Sequence, residues 1–159
     1  MIIETDSEQA LKRLAGQCAQ AWADGLRDGL IVGLSGDLGA GKTTWVRAML
    51  RGLGHAGRVP SPTYTLLEHY EFGPLTVVHL DLYRLAAPDE LEFLGLRDWL
   101  ARPRTWILAE WPDRGGHWVR SLDLVLALDI TGPVGRKLRF SAESKAGEQA
   151  ILAMSDLRI

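Results

Sequence analysis

Cysteine is almost missing from this chain. Cys18 stands alone among 159 residues, so no internal disulfide can form and cysteine-rich metal clusters are excluded. A reducing compartment suits such a sequence. Positive charge is not in excess either: 18 Lys and Arg face 20 Asp and Glu, a net charge of −2. That balance lacks the field that carries a protein onto nucleic acid by itself. No DNA binding is expected, and any RNA contact is expected to run through a partner. Nowhere do apolar residues run to the ~18 that a membrane span needs. The opening MIIETDSEQA brings acids at once, without the basic segment and apolar stretch of a secretory signal. A soluble, cytoplasmic protein with no membrane contact is expected. Internal repeats, low-complexity tracts and linkers are also absent.

What is present is enough apolar material, 47% of the residues, to bury one core in a single domain spanning 1–159. A short strand, MII, precedes an amphipathic helix that spaces Leu11, Leu14, Cys18 and Trp22 three to four residues apart, with Thr5 and Glu8 set as a capping box. Cys18 on that apolar face reads as packing. LIVGL, at residues 30–34, is a short unbroken apolar run suited to a central strand covered on both faces. A helix follows from about Thr43 to Leu53. Next, YTLLEHYEF and LTVVHLDLYR flank a Gly-Pro turn and read as an antiparallel pair. APDELEFLGLRDWLA predicts one helix begun by Pro88 and Asp89, and TWILAEW predicts a buried strand ending in a carboxylate. Two strands, LDLVLALDI and RKLRFSA, and a helix from about Lys145 complete the chain. Strands alternating with helices, and one hairpin among them, predict a three-layer α/β fold with a mixed, partly antiparallel sheet.

The most informative stretch is Gly36-Asp37-Leu38-Gly39-Ala40-Gly41-Lys42-Thr43. It satisfies the pattern G-x-x-x-x-G-K-[ST] in full, between a predicted strand and a predicted helix. Glycines let backbone N–H groups turn onto phosphate oxygens, the helix N-terminus adds its dipole, Lys42 reaches the outer phosphates, and Thr43 offers a hydroxyl to Mg²⁺. Gly39, Ala40, Gly41, Lys42, Thr43 and Thr44 are therefore candidate triphosphate-binding positions. Asp37 reads as a residue that shapes the loop.

A triphosphate site also needs a carboxylate for the metal's shell and a group to orient the attacking water. Both are expected at the carboxyl ends of strands beside the loop. Asp81 ends LTVVHLD and Glu110 ends TWILAE, so these two acids are the candidates. An ionised carboxylate directly after an apolar strand is costly unless a cation pairs with it. In SPTYT, Ser61, Thr63 and Thr65 could donate to the terminal phosphate or to Mg²⁺. The four histidines show no ligand spacing and read as solvent or packing residues. Trp22, Trp45, Trp99 and Trp106 suit apolar faces, which leaves Trp111 bordering the chemistry.

Taken in order, GDLGAGKTT, SPTYTL, HLDLYRL, DELEFLGLRDWL and AEW resemble one family, TsaE (formerly YjeE), over nearly the whole chain. The resemblance implies a P-loop ATPase that binds ATP with Mg²⁺ and hydrolyses it slowly alone. It implies action with the TsaB–TsaD pair in forming N6-threonylcarbamoyladenosine beside the tRNA anticodon, the tRNA being met through that complex. Carried onto this chain, Lys42 would hold the phosphates and Thr43 would ligate Mg²⁺. Asp81 would take the Walker-B-like place, Glu110 would bind Mg²⁺ or prepare the water, and Trp111 would lie near the nucleotide. Ser7 at the start of the first helix and Arg136 in a Gly-Arg turn would lie at the nucleotide's edge.

Two other readings stay open. One is a switch in which nucleotide binding alone matters. The other is a small-molecule kinase, for which Arg102-Pro103-Arg104 is the sole candidate lid. A GTPase is disfavoured because the guanine-recognition signature Asn-Lys-x-Asp is missing. Arg97, Arg102, Arg104 and Arg114 read as a solvated face or as a surface for TsaD or RNA.

Overall fold

The computed structural model describes residues 1–155 and Leu157. Seven strands form one sheet in the order β1-β7-β6-β2-β5-β4-β3: β1 (Ile2–Thr5), β2 (Leu30–Ser35), β3 (Leu67–Phe72), β4 (Leu75–Asp81), β5 (Thr105–Glu110), β6 (Leu124–Ile130) and β7 (Arg136–Ala142). The middle is parallel, with β2 between β5 and β6 and with β4 beside β5. The margins are antiparallel hairpins and a returning edge strand. All six residues of β5 are buried, as expected of a parallel strand covered on both faces.

Side-chain alternation along the strands divides the interior in two. On one face α1 (Glu8–Gly25), α2 (Lys42–Gly52) and α5 (Lys145–Ala153) cover a core that holds Trp22, Trp45, Trp106 and Leu108. On the other, α3 (Glu90–Phe93), α4 (Leu96–Ala101) and the 3₁₀ segment Pro112–Ser121 cover Val78, Leu80, Ile107 and Trp118. The architecture is the three-layer α/β sandwich with a mixed sheet that the pattern of elements predicts.

Local departures have local causes. The α1 cap is Ser7, whose Oγ accepts from the Ala10 N–H at 3.3 Å. Thr5 cannot serve as that cap because it is the last residue of β1. The single helix expected over residues 87–101 is two short ones, divided at Gly95, whose φ of +69° interrupts the helical ladder. The first hairpin strand starts at Leu67 rather than Tyr64, because Leu66 at φ +63° turns the chain just before it. Among the described residues, no helix is long and apolar enough to cross a membrane.

Candidate functional site

The loop between β2 and α2 is held open by its glycines. Gly36 sits at φ +135°, where an added Cβ would meet the Leu128 carbonyl oxygen at 2.3 Å, so neither the conformation nor the space admits another residue. Gly41 precedes α2 at φ +110°, and no side chain caps that helix. By contrast α1 and α5 are capped by Ser7 and Ser144. The first N–H groups of α2 thus lack a side-chain partner at the place where the helix dipole favours an anion.

Lys42, 4% exposed, lies across this loop. Its ammonium donates to the Gly36 carbonyl at 2.6 Å and the Asp37 carbonyl at 2.9 Å, and it lies 3.9 Å from the centre of the Trp111 ring. Burial pushes the Lys42 ammonium below the usual lysine range, opposed by the charges of Glu110, Asp81 and Asp37.

Strand parity brings the acids to it. Glu110 shares a face of β5 with Trp106 and Leu108, and Asp81 shares a face of β4 with Val77, so both point into the layer that contains α2. The register sets Asp81 directly opposite Glu110. Glu110 Oε2 accepts from the Thr43 hydroxyl at 2.9 Å. Asp81 accepts from the Thr63 hydroxyl at 3.2 Å and the Tyr83 N–H at 3.1 Å, while Ser61 and Thr63 share a hydrogen bond of 2.8 Å. Lys42, Thr43, Thr44, Ser61, Thr63, Asp81, Glu110 and Trp111 line one cavity of about 460 Å³ with Gly39 and Gly41. Thr65 is not among them; its hydroxyl donates to Glu68 at 2.9 Å.

On the other flank of the loop, Arg136 opens β7 and reaches across the chain. Its guanidinium donates to the carbonyls of Ala40 at 2.8 Å and Gly39 at 3.2 Å, and to its neighbour Gly135 at 2.7 Å. A smaller cavity of about 150 Å³ lies there, between Glu8, Gly39, Thr44, Val134 and Arg136. Ser7 adjoins it in sequence through Glu8, but its own side chain is engaged in capping α1 and in a hydrogen bond to Asp6 at 3.0 Å.

Oxygen donors of this kind, one hydroxyl with carboxylates beside it, suit a hard cation such as magnesium. Among the described residues no three His, Cys, Asp or Glu side chains form a metal cluster of their own. A magnesium ion here would complete its shell from phosphate and water, as this ion commonly does.

Sequence reading missed His79. It is fully buried, and its Nε2 lies 2.8 Å from Glu110 Oε1. The available signal was parity: His79 precedes Asp81 by two residues in a strand and therefore shares its face. Other polar candidates are engaged elsewhere. Arg97 pairs with Glu92 at 3.0 Å, and Arg102 and Arg114 lie over Trp99 and Tyr83.

The fold and the loop define a P-loop NTPase-like α/β protein. Residues 5–138 match the family described as "Threonylcarbamoyl adenosine biosynthesis protein TsaE". Over 127 residues the chain is 42% identical to the "tRNA threonylcarbamoyladenosine biosynthesis protein TsaE" of Haemophilus influenzae, covering 80% of this chain and 79% of the relative. The Aquifex aeolicus protein of the same description is 35% identical over 137 residues, 84% of this chain and 90% of the relative. The crystal structure of Bacillus subtilis YdiB superposes with a TM-score of 0.75 at 26% identity, covering 98% of this chain and 93% of that one. This chain belongs to the TsaE family.

Proposed function

We propose that this protein is a Mg²⁺-dependent ATPase that serves N6-threonylcarbamoyladenosine formation in tRNA together with TsaB and TsaD, in the cytoplasm. The observation that carries the reading is the convergence of Lys42, Thr43, Asp81 and Glu110 on one cavity at the uncapped end of α2. Membership of the TsaE family, named for threonylcarbamoyl adenosine biosynthesis, supplies the pathway.

In this reading the backbone N–H groups of Gly39, Gly41 and the first turn of α2 receive the phosphates, with Thr44 at their edge, and Ala40 joins them by exchanging its N–H bond to the Asp37 carbonyl at 3.1 Å. Lys42 exchanges its two carbonyl partners for phosphate oxygens, a stronger, charge-assisted pairing. Thr43 and one of the two strand-end carboxylates hold the metal, and Thr63 fixes Asp81. Magnesium, when bound, offsets charge on the outer phosphates. Glu110, aimed from a rigid central strand, orients water for in-line attack. Trp111 covers the ammonium, while Ser7 and Arg136 border the nucleotide's far edge. Slow turnover of the isolated chain follows if TsaB and TsaD complete the site.

The kinase alternative loses its one support. Arg102 and Arg104 precede β5, so they lie at the end of that strand opposite Glu110, roughly 20 Å away at the usual rise per residue. The reading is tested by Mg²⁺-dependent phosphate release from ATP, with and without TsaB–TsaD and tRNA. Stimulation by the complex, lost in Lys42→Ala, is expected. ATP binding without hydrolysis under every condition would favour the switch instead.

A further inference from the structure

Strand β4 is apolar wherever it faces the α2 layer except at His79 and Asp81. A leucine or valine at position 79 would suit the apolar surroundings of this strand, at the cost of leaving Glu110 Oε1 without its partner. The imidazole that stands there is fully buried, and its Nδ1 has no hydrogen-bond partner among the described residues. Uncompensated burial of a ring nitrogen is unfavourable, so packing alone does not account for this residue. Among the described residues its one polar contact is Nε2 with Glu110 Oε1, at 2.8 Å. With Glu110 as a carboxylate, which accepts and does not donate, the proton in this hydrogen bond sits on Nε2.

We propose that His79 is a positioning residue for Glu110, its Nε2–H holding Oε1 so that Oε2 alone is presented to Thr43 and the cavity. The inference rests on the reading of Glu110 as the group that orients water. The last torsion of a glutamate is broad and nearly two-fold, so a free carboxylate would sweep its oxygens over a wide arc. With Oε1 held by a ring fixed in the β4 core, and Oε2 beside the Thr43 hydroxyl at 2.9 Å, the group is restrained from two rigid elements at once. Asp81 is restrained differently, by Thr63 and by the N–H of Tyr83 from the loops. Glu110 therefore works through one oxygen, which suits a water-orienting group better than a two-oxygen clamp on a metal.

The test uses the full chain and the variants His79→Leu, His79→Gln, Glu110→Gln and His79→Leu combined with Glu110→Gln. ATP turnover, MgATP affinity and unfolding temperature are measured for each. His79→Leu is expected to slow turnover about 10- to 100-fold, the usual size of such supporting contacts, with MgATP affinity nearly unchanged. His79→Gln, whose amide nitrogen reaches the place of Nε2, should restore most of the loss. The double variant should be no slower than Glu110→Gln alone. Wild-type turnover in His79→Leu would overturn the proposal, as would a Gln variant as slow and as destabilised as the Leu variant. A readout independent of turnover is the nitrogen NMR spectrum of the His79 ring, which also serves if His79→Leu does not fold. A protonated Nε2 whose signal shifts in Glu110→Gln is expected; a bare Nε2 would overturn the hydrogen bond itself. Absence of hydrolysis in the wild type, alone and with TsaB–TsaD and tRNA, would instead overturn the ATPase reading and the hydrolytic purpose given to this contact, whereas the spectrum still decides the contact.

Discussion

Arg136 joins the end of one strand to a loop nearly a hundred residues earlier. Its three donors all end on backbone carbonyls, two of them in the loop between β2 and α2. A planar fork can span these carbonyls, whereas a lysine ammonium is a single point with a different reach. Arg136→Lys is therefore expected to weaken nucleotide binding about tenfold, the worth of losing one charged hydrogen bond, while the fold persists. Titration calorimetry against MgATP, with circular dichroism as the control, checks it. Cys18 is a different kind of residue. Fully buried on the inner face of α1, its thiol is pushed up to about 12 from an ordinary value near 9 by desolvation. The native thiol thus keeps its proton in alkali where the unfolded chain has lost it. Stability fully present below pH 9 is therefore lost between pH 9 and 12, at about 1.4 kcal/mol per pH unit. Cys18→Ala should flatten that alkaline slope in urea titrations, and native Cys18 should resist thiol reagents at pH 8 until denaturant is added.

At the scale of elements, α2 ends where it crosses α1. A Cβ added at Gly52 would meet the Cα and carbonyl oxygen of Gly16 at 2.7 Å each. Those are backbone atoms, so the helices themselves must part. Alanine gains up to about 1 kcal/mol in helix propensity, and less at a helix's last residue. Overpacking costs about 1–3 kcal/mol, so the clash wins. Gly52→Ala should lower the urea midpoint, and because α2 carries Lys42 and Thr43 at its other end, it should weaken nucleotide binding as well. An unchanged midpoint would show that α1 yields without cost. Legibility varies by element for a physical reason. Strands β2 and β5 are readable as apolar runs because both of their faces are covered. The region after Asp81 is not, since its break depends on the left-handed conformation at Gly95, and a glycine inside a helical pattern can also be tolerated without a break.

For the whole molecule, the two cores pack on opposite faces of one sheet that also carries the site, so the site is expected to be lost with the fold. A nucleotide bound only by the native chain then stabilises all of it. At 100 times the dissociation constant the gain is about 2.7 kcal/mol, which raises the melting temperature by roughly 5–10 °C for a chain of this size. MgATP should produce this shift in a thermal scan and Lys42→Ala should show little of it; equal shifts in both proteins would place the nucleotide away from the phosphate loop. The glycine spacing from Gly36 to Gly41 and the Lys42-Thr43 pair after it were legible from sequence alone, because the loop between β2 and α2 is contiguous in the chain and its backbone demands are met by residue type. The strand-end acids were legible as candidates for the same reason, each terminating its own apolar run. What tertiary structure alone decided is everything that depends on register between distant strands. The pairing that sets Asp81 beside Glu110, the reach of Arg136 to Ala40 and the placing of His79 against Glu110 arise from how the sheet is ordered. Sequence carries the alternation along each strand, but only the assembled sheet says which strands are neighbours.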